Sequence, residues 1–176
     1  MRMLNKFCSV RNLFFCLAGI ALLSVSCEQK KEEKKKTTDM QKVMTAKDIL
    51  GNPKYLAISY GGYRQVSRDV QPTLEELKED LKLLAAMNIK VLRTYNVQLA
   101  HAGNVLKAIR ALIQENPEFE MYVMLGAWID CKNAWTGLEP DHDVESEQNE
   151  AEIARAVAFA QEYPEIVKVL AVGNEA

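Results

Sequence analysis

Four short apolar runs, separated by segments whose apolar residues recur at helical spacing, constrain this chain more than any other feature. The runs are 55–60 (YLAISY), 89–95 (IKVLRTY), 120–128 (EMYVMLGAW) and 166–172 (IVKVLAV), and they start 34, 31 and 46 residues apart. A hairpin needs only a few residues between strands, whereas parallel strands need a crossover of a dozen or more, usually helical. The spacing therefore predicts consecutive strand–helix units and an α/β fold with parallel strands.

Local chemistry marks the helices. Thr73, Leu74, Glu75 and Glu76 form a capping box, in which the Thr73 hydroxyl and the Glu76 carboxylate satisfy reciprocal backbone donors. Leu74, Leu77, Leu81, Leu84 and Ala85 then share one face. For the second helix Asn104 is the expected cap, with Val105, Leu106, Ile109, Leu112 and Ile113 inward and Asn116-Pro117 as the stop. A third helix over 150–163 is expected to bury Ile153, Ala156, Val157 and Ala160, leaving 145–152 as solvated surface.

Two architectures accommodate such a run, an open doubly wound sheet or an eight-fold barrel. Gly61-Gly62 leads into Tyr63-Arg64 instead of opening a helix, so no phosphate-binding loop follows the first strand. Four units occupy 122 residues, and twice that approaches the roughly 250 of a whole barrel. Residues 51–176 are thus expected to be the first four strands of a (β/α)8 TIM barrel.

The segment before them differs in kind. Residues 1–27 carry Arg2, Lys6 and Arg11, no acid, and an apolar run over 13–23 that is too short to span a bilayer. The run ends in small residues leading to Cys27, which resembles the lipobox of bacterial lipoproteins, where the cysteine becomes a lipidated N-terminus. An ordinary cleaved signal is the other reading. Residues 28–50 are expected to be a tether, since EQKKEEKKK over 28–36 has no apolar residue to bury. It is similar to the charged signal that sends some Bacteroidota lipoproteins to the cell surface, and a generic linker reads the same way. Together these features imply an exported lipoprotein at the outer membrane or cell surface, held to the membrane by a lipid anchor.

Charge and cysteine usage narrow the partners. From Val43 onward there are 13 basic and 20 acidic residues, so the folded part repels phosphate backbones and nucleic acid is not an expected partner. With Cys8 and Cys16 in the signal and Cys27 acylated, Cys131 is left without a disulfide partner and reads as a small apolar filler. Asp141-His142-Asp143 reads as a solvated turn, and no metal or cofactor is expected.

In a barrel of this kind the chemistry stands where the strands end. The exits are Tyr60-Gly61, then Arg93 to Asn96, then Trp128 to Asp130, then Gly173-Asn174-Glu175. Directed polar groups, a permanent cation and flat rings suit a polyhydroxylated substrate. Ile58-Ser59-Tyr60-Gly61, Leu92-Arg93-Thr94-Tyr95, Leu125-Gly126-Ala127-Trp128 and Val172-Gly173-Asn174-Glu175, in order at four exits, are similar to glycoside hydrolase family 17, the β-1,3-glucanases and related transferases. The resemblance implies a retaining glycosidase of β-glucan with Glu175 as acid/base and Asn174 on the sugar 2-hydroxyl. It further implies that Tyr60, Arg93, Tyr95, Trp128 and Asp130 line the cleft, with the nucleophile on a seventh strand that this chain does not contain. Arg93 as a structural ion-pair partner, Trp128 as a core cap, and a glycan-binding protein without chemistry are the competing readings.

Acylation of Cys27 is directly testable. Expressed in a Gram-negative host, the protein should partition into detergent and take up labelled fatty acid, and Cys27→Ala should abolish both. Wild-type protein recovered soluble and unlabelled from the periplasm would refute the anchor.

Overall fold

The computed structural model describes residues 43–173. The signal over 1–27, Cys27, most of the tether, Asn174 and Glu175 lie outside the described residues. The element order is α1 (Ala46–Ile49), β1 (Leu56–Ser59), α2 (Leu74–Ala86), β2 (Ile89–Arg93), α3 (Ala100–Glu115), β3 (Tyr122–Ala127), β4 (Cys131–Lys132), β5 (Asp141–Glu145), α4 (Asn149–Glu162) and β6 (Val167–Val172). The single turn α1, closed by a Thr45–Asp48 capping box and burying Ile49, falls inside the span expected to be tether, so ordered chain begins before residue 51.

Among the described residues the main sheet holds four parallel strands in the order β1-β2-β3-β6. A doubly wound sheet reverses its strand order at a switch point. This one proceeds without reversal, as a segment of a barrel does. The helices α2 and α3 pack on each other, α2 also on β2, and α4 covers β3 and β6. Leu77, Leu81, Leu92, Val105, Leu106, Ile109, Met121, Val123, Leu125 and Ile166 form the fully buried centre.

The sheet and its ends are tuned differently. Gly126 on β3 lies against the β2 exit so closely that a Cβ there would sit 2.3 Å from the Thr94 carbonyl oxygen. No side chain fits, and the two strands approach because glycine stands there. The buried Thr94 hydroxyl accepts from the Gly126 N–H at 3.1 Å, tying the same pair together. At the opposite ends of the strands, Glu120 gathers Tyr55, Tyr122 and Lys90: both phenols donate to its Oε1 and the ammonium pairs with its Oε2. Burial works against the Glu120 charge, but these partners prevail and hold its carboxyl below the usual range.

Three expectations are corrected. Strand β1, expected from its apolar, aromatic run to be a buried strand, is exposed along its whole length, with Leu56 at 45% and Ile58 at 39%, because it is an edge strand with an uncovered face among the described residues. Helix α3 begins at Ala100, so Asn104 lies inside it; Asn96 serves the start instead, its Oδ1 accepting from the Leu99 N–H at 3.2 Å. The largest departure is α4. Ala156 is buried as expected, but Ile153 and Val157 are more than 40% exposed, while Asn149 and Glu152 are 4% and 3% exposed. Glu145, Glu147 and Glu150 remain on the surface, and Glu152 does not.

Glu152 is turned inward because two backbone donors meet it there. Its Oε1 accepts from the Val97 N–H at 2.7 Å and from the Trp128 N–H at 3.1 Å, and its Oε2 takes the Arg155 guanidinium at 3.0 Å. One carboxylate thus joins the segment leaving β2 to the segment leaving β3. Glu152→Ala would strand one buried and one part-buried backbone donor and should lower stability by about 2–4 kcal/mol in urea unfolding, an orphaned buried group costing about 1–3 kcal/mol. Glu152→Gln keeps an acceptor oxygen and should lose less than half as much; equal losses in the two variants would contradict the clasp.

Candidate functional site

The ends of β1, β2 and β3 deliver their following residues to one edge of the sheet, where two hollows adjoin at Arg68 and Asn96. The larger, about 590 Å³, is lined by Asn96, Gln98, Trp128, Asp130 and Trp135 among others. The smaller, about 250 Å³, is lined by Gly61, Tyr63, Tyr95 and His101 besides the shared pair. Of the residues expected in a cleft, Tyr95 lines the smaller hollow, Trp128 and Asp130 the larger, and Tyr60 and Arg93 neither.

Tyr60 is buried, and its phenol donates to Asp80 Oδ2 on α2 at 2.8 Å. The same carboxylate is gripped by Arg64 from the loop after β1, at 2.9 Å and 2.6 Å through its two nitrogens. Burial first, then the bond to Asp80, drives the Tyr60 phenol well above its ordinary range, so it stays a donor. Gly62, at φ +66°, passes directly over it: a Cβ there would lie 2.4 Å from the Tyr60 hydroxyl oxygen. Tyr60 thereby fixes the β1 exit to α2. Arg93 ends β2 half-buried, with its guanidinium 5.6 Å from the centre of the Tyr95 ring.

The β3 exit is held by the first turn of α4. Beside Glu152, the buried Asn149 closes a pair with the backbone of Asp130: its Oδ1 accepts from the Asp130 N–H at 3.0 Å and its Nδ2 donates to the Asp130 carbonyl at 2.8 Å. The Asp130 carboxylate accepts from the Trp135 indole N–H at 3.0 Å, and the Trp128 and Trp135 rings meet at 5.9 Å with their planes 60° apart. Trp135 belongs to the excursion between β3 and α4, whose antiparallel pair β4–β5 stands where a solvated turn was expected at Asp141-His142-Asp143. Asp141, His142 and Asp143 lie on β5, the latter two exposed. Cys131 lies on β4, half-buried.

Sequence reasoning missed Asn149, Glu152, Trp135 and His101. Asn149 and Glu152 are three apart on one helical turn, a spacing that puts two polar groups on one face. The same spacing describes a solvated face equally well, so it did not single them out. Nothing in the pattern distinguished His101, which sits in the first turn of α3, 6% exposed, stacked on Tyr63 at 5.1 Å and tilted against Tyr60 at 5.7 Å. Its Nε2 has no hydrogen-bond partner among the described residues.

The chain is similar to an endo-laminarinase from Formosa Hel1_33_131, with 71% sequence identity and a TM-score of 0.74 over 76% of this chain. The match covers 34% of that protein, so the chain spans about a third of its length. No family model matches the chain, and no curated protein does.

The burial of His101 predicts an acid-sensitive fold. Burial pushes its imidazole down from 6.5 to about 4. A depressed histidine is neutral in the fold while the unfolded chain still takes up a proton, so stability is complete above about pH 6.5 and falls as pH drops toward 4. The loss over that window should reach about 3 kcal/mol, at roughly 1.4 kcal/mol per pH unit. His101→Phe keeps a ring between the tyrosines and should make the stability profile less steep between pH 6.5 and 4, leaving the fall due to paired carboxylates such as Glu120 and Asp80; an unchanged slope in urea titrations would exclude His101 as a source.

Proposed function

We propose that this chain belongs to a retaining glycoside hydrolase that cleaves β-1,3-glucan, built on a (β/α)8 barrel in the manner of glycoside hydrolase family 17. The observation that carries the reading is the 71% identity to an endo-laminarinase, since laminarin is a β-1,3-glucan. The unreversed parallel sheet and the hollows at its strand exits support it. Exposed Leu170 and Val172 on β6, Ile58 on β1 and Ile153 on α4 support further barrel units that pack against them.

In this reading Glu175 protonates the departing glycosidic oxygen, then takes a proton from the water that releases the sugar from the enzyme. The partner carboxylate, about 5 to 5.5 Å away in a retaining enzyme, attacks the anomeric carbon. Asn174 hydrogen-bonds the 2-hydroxyl, a contact that strengthens as positive charge develops on the sugar ring. Tyr95, Trp128 and Asp130 shape the binding cleft, Arg93 stands behind Tyr95 with its guanidinium on that ring, and Tyr60 fixes the β1 exit. An acceptor sugar in place of water would turn the same intermediate to transglycosylation. The surplus of acidic residues is no obstacle to an uncharged glucan. The attachment proposed for an exported, outer-membrane or cell-surface protein is through Cys27; among the described residues no helix is long and apolar enough to cross a membrane.

The decisive experiment uses the full-length enzyme. Glu175→Gln keeps the shape and removes the titrating proton, so turnover of laminarin should fall by about 10²-fold or more. An activated aryl β-glucoside needs little acid assistance in the first step; on it a glycosyl-enzyme should accumulate, and azide should restore turnover as the β-glycosyl azide. Undiminished laminarin cleavage by Glu175→Gln would reject the assignment.

A further inference from the structure

We propose that Trp135 is a sugar-stacking wall of the cleft, a binding position for a glucosyl unit of the β-glucan chain beside the β3 exit. The inference rests on the functional reading above and adds a residue that the family resemblance does not supply. Its indole is 77% exposed, twice the exposure of Tyr95 at 37%. So large an exposed apolar surface contributes little to the fold.

The ring is nonetheless held in place. Its N–H is fixed on Asp130, whose backbone is clasped at both ends by the buried Asn149, and Trp128 stands against it. The backbone at Trp135 has φ +60° and that at Asn133 φ +63°. A bulky residue rarely adopts the left-handed region, because its side chain crowds the backbone there. Two turns impose it, with the Ala134 N–H on the Cys131 carbonyl at 3.2 Å and the Thr136 N–H on the Asn133 carbonyl at 3.2 Å.

The result is an indole that forms part of the wall of two neighbouring hollows, about 590 Å³ and about 670 Å³. The first also contains Arg68, Asn96 and Gln98, polar side chains that share this hollow with the ring. A β-linked glucosyl unit has equatorial hydroxyls around its rim and C–H groups on its faces. It therefore needs a flat apolar platform with polar groups at the edge, and Trp135 with these neighbours provides one. Asp130 in this scheme is a positioning residue, whose carboxylate aims the indole.

The test compares full-length wild type, Trp135→Ala, Trp135→Phe and Asp130→Ala on laminarin and on laminari-oligosaccharides of increasing length. Trp135→Ala should raise KM on laminarin about ten-fold, the scale of one aromatic contact, with a much smaller effect on kcat. Trp135→Phe should recover most of the affinity, because a flat face returns without the N–H. Asp130→Ala should fall between them, since the indole loses its bracket. Thermal midpoints within a degree or two of wild type separate this from a fold defect, as an exposed ring predicts. Wild-type turnover with an unchanged KM in Trp135→Ala overturns the stacking role alone. A wild-type enzyme that neither cleaves nor binds laminarin overturns the functional reading, and the stacking proposal with it.

Discussion

One buried carboxylate organises the functional edge of this domain. A carboxylate placed out of water is unfavourable unless its lone pairs are met, and Glu152 meets them with the backbone N–H groups of Val97 and Trp128 and with Arg155. The two amides come from segments that have already left the sheet and have no ladder partner there. By supplying one acceptor to both, α4 converts two loose strand exits into a joined rim. Asn149 extends the same device by one turn of chain, fixing the peptide of Asp130. The rim is positioned by the start of a helix that lies after it in sequence.

How much of this was legible depends on the property that each signal measures. The alternation of apolar runs and helical spacing revealed the strands, and β2, β3 and β6 lie within the expected runs. The Thr73–Glu76 capping box was legible because both partners are local, and the structure contains it with the Glu76 N–H on the Thr73 hydroxyl at 3.2 Å. Periodicity failed on α4, where the apolar stripe of Ile153 and Val157 is exposed and Asn149 and Glu152 face inward. Apolar spacing counts side chains that avoid water. It is blind to a polar side chain whose partners are backbone amides 24 and 55 residues away.

The candidate site divides along the same line. Tyr95, Trp128 and Asp130 were readable because a strand's end is fixed by its pattern, and the residues next in the chain must emerge at the functional edge. Tyr60 stands at an exit too, yet its hydroxyl is turned to Asp80 and α2, an orientation set by a side chain 20 residues on. Trp135 follows no strand exit and joins the rim through a reversal of backbone that composition does not announce.

The excursion between β3 and α4 has a consequence for descent with modification. Its ends are bolted, by Glu152 and Asn149 on one side and by the Ser146 N–H on the Asp130 carbonyl at 2.9 Å on the other. The stretch between them, including β4 and β5, pairs with itself and adds nothing to the four-stranded sheet. Such a segment can lengthen, shorten or be exchanged between relatives while the strand exits keep their places. The hollow beside the β3 exit can then be reshaped by trading a cassette, with the parallel strands kept intact.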